Sequence, residues 1–153
     1  MPNRHSTSYG QIYGPEGIGF RAVKQRVLYS DFTDGAGTSG TYALPATIPA
    51  GSWVIGCKVD VLTGFTGDTT AVMDVGDGSD ADKFSYTDFN VYTATTGLME
   101  TADHGAAGTE SGFAMVTSDA TPTLTVTGGA DFTSITAGEL EIAIYYLETS
   151  NLT

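Results

Sequence analysis

The stretch Val54-Ile-Gly-Cys-Lys-Val-Asp-Val-Leu-Thr-Gly-Phe65 decides the fold class. Ile55, Cys57, Val59, Val61 and Phe65 fall on one side of an extended chain, and Lys58 and Asp60 fall on the other. Successive side chains of a strand point to opposite faces, so this alternation predicts a half-buried β-strand. Glu139–Leu147 repeats the pattern, with Leu140, Ile142, Ile144 and Tyr146 on one side and Glu139, Glu141 and Ala143 on the other. Ile55, Val59, Val61, Leu140, Ile142 and Ile144 are therefore the expected core between two sheets.

Working outward, turn signals divide the chain into further strands. Arg26–Phe32 is one, closed by Asp34-Gly-Ala-Gly37. Thr41–Ile48 is another, ended by the turn Pro49-Ala-Gly51. Thr70–Val75 turns Ala71, Met73 and Val75 inward, and Lys83–Thr93 starts an alternation with Phe84 and Tyr86. Phe113–Thr117 and Thr121–Thr127 read as a hairpin around Ser118-Asp-Ala120. Residues 94–111 and 128–138 read as loop and turn. Roughly eight short strands at near-regular spacing, with no amphipathic helix and no solenoid repeat, predict an all-β sandwich of jelly-roll type.

Residues 1–19 are rich in Gly, Pro, Ser, Tyr and Asn and show no period of 2 or 3.6. They are expected to form an extended N-terminal arm, ordered by docking on a neighbouring chain, ahead of a domain at 20–153. A chain of 153 residues suffices for one such domain with a real core. Only 16% of residues are charged, so Thr, Ser, Asn and Gly supply most of the polar surface, a composition that suits strands and turns.

The net charge is −12, and its distribution is uneven. Residues 1–26 hold four cations (Arg4, Arg21, Lys24, Arg26) against Glu16, a net +3, whereas residues 27–153 hold Lys58 and Lys83 against seventeen acids, a net −15. Phosphate binding and anionic membranes both require Lys and Arg, so neither nucleic acid nor a membrane surface is an expected partner. A basic head on an acidic body instead suggests docking on an acidic protein surface, the chain's own or a neighbour's. Arg4, Tyr9, Tyr13, Arg21, Lys24 and Arg26 are the candidate interface residues. Cys57 is the only cysteine, so no intramolecular disulfide forms, and the opening MPNRHSTSYG lacks an apolar signal segment. Both features predict a soluble chain made in a cytoplasm.

Few residues invite chemistry. Asp74, Asp77, Asp80 and Asp82 alternate in an Asp-Gly-rich stretch, and converging carboxylates suit Ca²⁺. The stretch lacks the EF-hand order and its closing Glu, and Asp and Gly equally suit a solvated turn. His104 lies beside Asp103, but no G-x-S-x-G spacing accompanies it. Cys57 lies on the apolar side of its strand and reads as a small core residue. Neither zinc spacing nor a phosphate-cradling Gly loop is present, and neither an enzyme nor a cofactor is expected. Trp53 and the scattered tyrosines Tyr9, Tyr13, Tyr29, Tyr42, Tyr86, Tyr92, Tyr145 and Tyr146 suit core, protein interface or sugar stacking.

Two stretches carry a family resemblance. Residues 44–80 contain Ile48-Pro-Ala-Gly51, a strand, Phe65-Thr-Gly67, and a strand ending Val75-Gly-Asp-Gly78. Residues 135–146 close with Ala137-Gly-Glu-Leu140 and Tyr145-Tyr146. This pattern resembles virion structural proteins of tailed bacteriophages and is most similar to jelly-roll capsid decoration (cement) proteins; related modules occur in tail and fibre parts. The resemblance covers about half the chain and excludes the arm. It implies a homotrimer on the outside of the major capsid lattice, at three-fold or quasi-three-fold positions and with no catalytic residue. A tail, neck or fibre component and a carbohydrate-binding module are the alternatives.

Overall fold

The computed structural model describes residues 19–85, 88–100 and 114–149, except the side chain of Glu100. They form two antiparallel sheets packed face to face. The first follows the order β1 (Gly19–Leu28), β10 (Ala137–Glu148), β4 (Trp53–Thr66), β7 (Thr96–Glu100), with β8 (Ala114–Met115) also paired to β4. The second runs β2 (Thr33–Asp34), β3 (Ser39–Ala43), β9 (Thr123–Gly128), β5 (Ala71–Gly76), β6 (Phe89–Asn90). The chain crosses between sheets repeatedly: β1 belongs to the first, β3 to the second, β4 to the first, β5 and β6 to the second, β7 to the first, β9 to the second and β10 to the first.

The core lies between the sheets. β4 contributes Val54, Cys57, Val59, Val61 and Phe65, and β10 contributes Leu140, Ile142, Ile144 and Tyr146. Ala71, Met73 and Val75 of β5 and Leu124 and Val126 of β9 meet them from the second sheet. At one end Phe32 centres an aromatic cluster, edge-on to Phe65 at 5.8 Å between ring centroids and tilted against Tyr42 and Phe132. Such pairs prefer offset or edge-to-face geometry, which fixes how the two sheets close.

Ile55 is not the core residue that strict alternation makes it. Tyr145 pairs with Gly56 while Tyr146 pairs with Val54, so Ile55 is an extra residue in β4. A bulge shifts the phase by one, and Val54 takes the buried place while Ile55 is only half-buried. Below the bulge Cys57, Val59, Val61 and Phe65 are buried as expected.

Several other strand boundaries differ from expectation. The first strand is Gly19–Leu28 rather than Arg26–Phe32: at Leu28 the backbone N–H donates to Asp31 Oδ2 at 2.8 Å, and Tyr29–Asp31 turns as a short 3-10 segment. Of the expected arm at 1–19, residues 1–18 lie outside the described residues, and Gly19 opens β1. The Thr41–Ile48 strand stops at Ala43, because Pro45 has no N–H to continue a ladder; Ile48 is buried and bridges to Ala120. Lys83–Thr93 is mostly turn. There Phe84 N–H donates to Val75 O and Ser85 N–H to Asp82 O, and only Phe89–Asn90 is strand; Tyr86 lies outside the described residues. Conversely, Thr96–Glu100 is a strand where a loop is expected. The proposed hairpin does not form: β8 pairs with β4 and β9 with β3 and β5, in different sheets. Pro49–Ser52 is the expected turn, with Ser52 N–H donating to Pro49 O at 3.1 Å and Gly51 at φ +83°, a conformation that favours glycine.

Candidate functional site

The Asp-rich stretch leaves β5 and turns back toward it. Asp77 accepts from the N–H groups of Ser79 and Asp80 and pairs with Lys83 Nζ at 2.7 Å. Burial works to raise the Asp77 pKa, but the Lys83 ammonium and the backbone donors outweigh it and hold it below the ordinary value. Asp80 shares a hydrogen bond with Asp82, which raises its pKa. Asp74 is in contact with Asp88 and feels the charge of Asp82. Burial, then the Asp88 charge and hydrogen bond, push its pKa up to about 6, and its Oδ1 is buried without a hydrogen-bond partner. The four carboxylates thus divide between an ion-paired turn and two carboxyl pairs. Among the described residues, no group of three or more His, Cys, Asp or Glu side chains is arranged to hold a metal ion.

Cys57 is buried, and its Sγ lies 3.5 Å from Phe84 O. Burial pushes the thiol up to about 12, so it carries almost no thiolate near neutral pH. His5, His104 and Asp103 lie outside the described residues, as do Arg4, Tyr9 and Tyr13.

The described basic residues of the head do not form one surface. Arg21, Lys24 and Arg26 belong to β1. Arg21 stands on the inner-facing side at the sheet edge and pairs with Glu148 of β10 at 2.8 Å. Lys24 and Arg26 stand on the outer face, where Arg26 pairs with Glu139 at 2.6 Å. Both arginines are thus engaged by this chain's own β10. On the same outer face Lys58 Nζ lies 2.6 Å from Asp60. Lys24, Arg26, Lys58, Asp60, Glu141 and Tyr145 border one shallow depression there.

Sequence reasoning misses what lies beside that depression. Phe20 is opposite Leu147, Leu147 opposite Trp53, and Trp53 opposite Met115, so four apolar side chains from β1, β10, β4 and β8 form one row across the outer face. Phe20 is 42% exposed, Trp53 40% and Met115 50%; Tyr145 in the next row is 38% exposed and Leu98 of β7 is 79% exposed. One signal was available in the sequence. The outer side of β10 reads Glu139, Glu141, Ala143, Tyr145, Leu147, changing from acidic to apolar along a single strand.

No family model and no curated protein matches the chain. Solved structures do share its fold. A chain of the cyanophage Pam1 capsid asymmetric unit superposes with a TM-score of 0.58 at 17% identity, covering 96% of this chain and 99% of that one. A chain of the acidic stable capsid structure of Helicobacter pylori bacteriophage KHP30 gives 0.50 at 13% identity, covering 85% and 94%. A chain of the capsid of Ralstonia phage GP4 gives 0.49 at 11% identity, covering 94% and 91%.

Proposed function

We propose that this chain is a phage virion protein that decorates the outside of the major capsid lattice and stabilises the head. The observation that carries the reading is the end-to-end match to a chain of the Pam1 capsid, 96% of one chain on 99% of the other. The turn-and-strand pattern at residues 44–80 and 135–146 supports the same family. The strand orders β1-β10-β4-β7 and β3-β9-β5-β6, with the chain alternating between the sheets, support a jelly roll.

On this reading the protein is not an enzyme and takes no cofactor. Three copies associate at three-fold or quasi-three-fold positions after synthesis in the host cytoplasm. Each copy adds buried area across joints between capsid subunits. A standard interface buries ~1,600 Å² in total, and a closed shell repeats it many times. Because the protein binds the assembled lattice and not the opened one, mass action shifts rupture upward. Residues 1–18, with Arg4, Tyr9 and Tyr13, would reach the lattice. Of the β1 cations, Arg21 and Arg26 hold β1 to β10.

The test is heat-triggered genome release from shells with and without the protein, each with and without EDTA. Depleted shells should release at lower temperature, and purified protein should restore resistance. Because Asp77 is occupied by Lys83, EDTA should change neither curve. Identical curves for depleted and complete shells would defeat decoration and favour a tail, neck or fibre part. Trp53 and Tyr145, exposed on one sheet face, also suit sugar stacking. A sugar-binding module would leave shell stability alone and lose glycan affinity on Trp53→Ala.

A further inference from the structure

We infer that the outer face of the first sheet, centred on Phe20, Trp53, Met115, Tyr145 and Leu98, is the surface through which copies of this chain associate. The inference deepens the decoration reading by naming a surface for the self-association that reading contains.

The apolar area is the first argument. Aromatic side chains present ~150–250 Å² each. At the observed exposures Phe20, Trp53 and Tyr145 leave on the order of 250 Å² open; Met115, opposite Trp53, and Leu98, opposite Lys58 two rows along the same face, raise the face's exposed apolar total to roughly 500 Å². That is near the size at which apolar patches on a soluble protein mark a binding surface. Two copies that each cover such a patch bury on the order of 1,000 Å² in total, the lower bound for a specific association.

Charge selects the occupant. The whole chain carries −12, so two copies repel over most of their surface. On this face, however, the described side chains include Lys24, Arg26 and Lys58 against Asp60, Glu139 and Glu141, three cations and three carboxylates. Three of the chain's six cations are gathered where they cancel the local acids. A strongly basic partner would gain nothing there and would bind the acidic remainder instead. A second copy meets an apolar surface like its own, whose described cations and carboxylates balance, and keeps its acidic faces in solvent.

Association is read by sedimentation velocity on the full chain across concentration, with tryptophan fluorescence on the same samples. Trp53 is the only tryptophan, so its emission reports the row directly. A rise in mass and a blue shift of emission with a shared midpoint are expected. Met115→Ser together with Leu98→Ser should weaken association at least tenfold. Both sites are half or more exposed, and unchanged thermal unfolding at low concentration verifies the fold. If wild type stays assembled at every concentration, the double variant decides: weakened assembly supports the inference and unchanged assembly overturns it. A monomer at all concentrations overturns it. So does a monomer whose emission is already blue, because a segment of the same chain then covers the row. A monomer whose Trp53 shifts only on added shells also overturns it, because the capsid is then the occupant. Loss of the heat-release effect with self-association intact defeats decoration and leaves this surface standing.

Discussion

Ile142→Ala tests the placement of the core. Ile142 lies on β10 between Gln25 of β1 and Val59 of β4, is 2% exposed, and faces the second sheet. The change removes three carbons at about 0.8 kcal/mol each, or about 2.4 kcal/mol of transfer free energy. A central strand cannot collapse into the space, because both its neighbours are fixed by ladder hydrogen bonds. The cavity left behind adds on the order of 1–2 kcal/mol at about 24 cal/mol per Å³. The expected loss is therefore about 3.4–4.4 kcal/mol, which at this chain length lowers Tm by roughly 7–18 °C. Leu98→Ala is the matched control: it shortens a side chain that is 79% exposed on the opposite face, and should stay within about 0.5 kcal/mol. Urea unfolding read by Trp53 emission gives both values, with all variants at one low concentration so that association does not add to stability. A loss below about 0.5 kcal/mol for Ile142→Ala would refute the packing of β10 against the second sheet. Equal losses for the two variants would show that the sheet's faces are wrongly assigned.

Two further outcomes follow from particular residues. Asp74, raised from 3.8 to about 6, binds its proton more tightly folded than unfolded; that stabilisation is complete below 3.8 and lost as pH rises through about 6. Asp74→Asn should therefore raise the unfolding midpoint at pH 8 and change it little at pH 4, and a variant less stable than wild type at pH 8 would contradict this. At Gly64 an added Cβ would overlap the backbone carbonyl of Tyr92, so Gly64→Ala should cost about 1–3 kcal/mol by thermal unfolding; no change would mean that the 91–93 backbone does not lie against β4.

The strands that were legible in sequence are those whose two faces differ most. β4 and β10 are central strands with apolar side chains toward the other sheet and Lys58, Asp60, Glu139 and Glu141 outward, so period 2 marked them directly. β1 is an edge strand, where Arg21 and Gln25 stand on the inner-facing side and Phe20 and Leu28 on the outer, and its mixed faces hid its first seven residues. β7 presents Met99 inward and Leu98 outward, so its pattern carries no polarity. The bulge at Ile55 reversed one assignment because a single extra residue flips the phase without leaving a local signal. The false hairpin had the same origin: alternation identifies strands but not their partners, and β8 and β9 pair in different sheets. The outer row was illegible because residues 20, 53, 115 and 147 meet only once the pairing of four strands is known.

Among the described residues, the edges of the sandwich favour its face over its rim as the surface for the proposed association. A bare strand edge offers unpaired backbone groups to any extended chain, and proteins blunt edges by shortening or charging them. In the second sheet both edge strands, β2 and β6, are two residues long. In the first sheet β7 has five residues, but β1 has ten and would be the natural site for strand addition. That strand carries Arg21, Lys24 and Arg26, half of the chain's six cations. A strand added there would have to place its own side chains among these long charged ones, which blunts the edge. The outer face has no such barrier, because its cations stand beside Asp60, Glu139 and Glu141 and its apolar row lies one end away from them. The same cations thus blunt the edge and balance the described acids of the face.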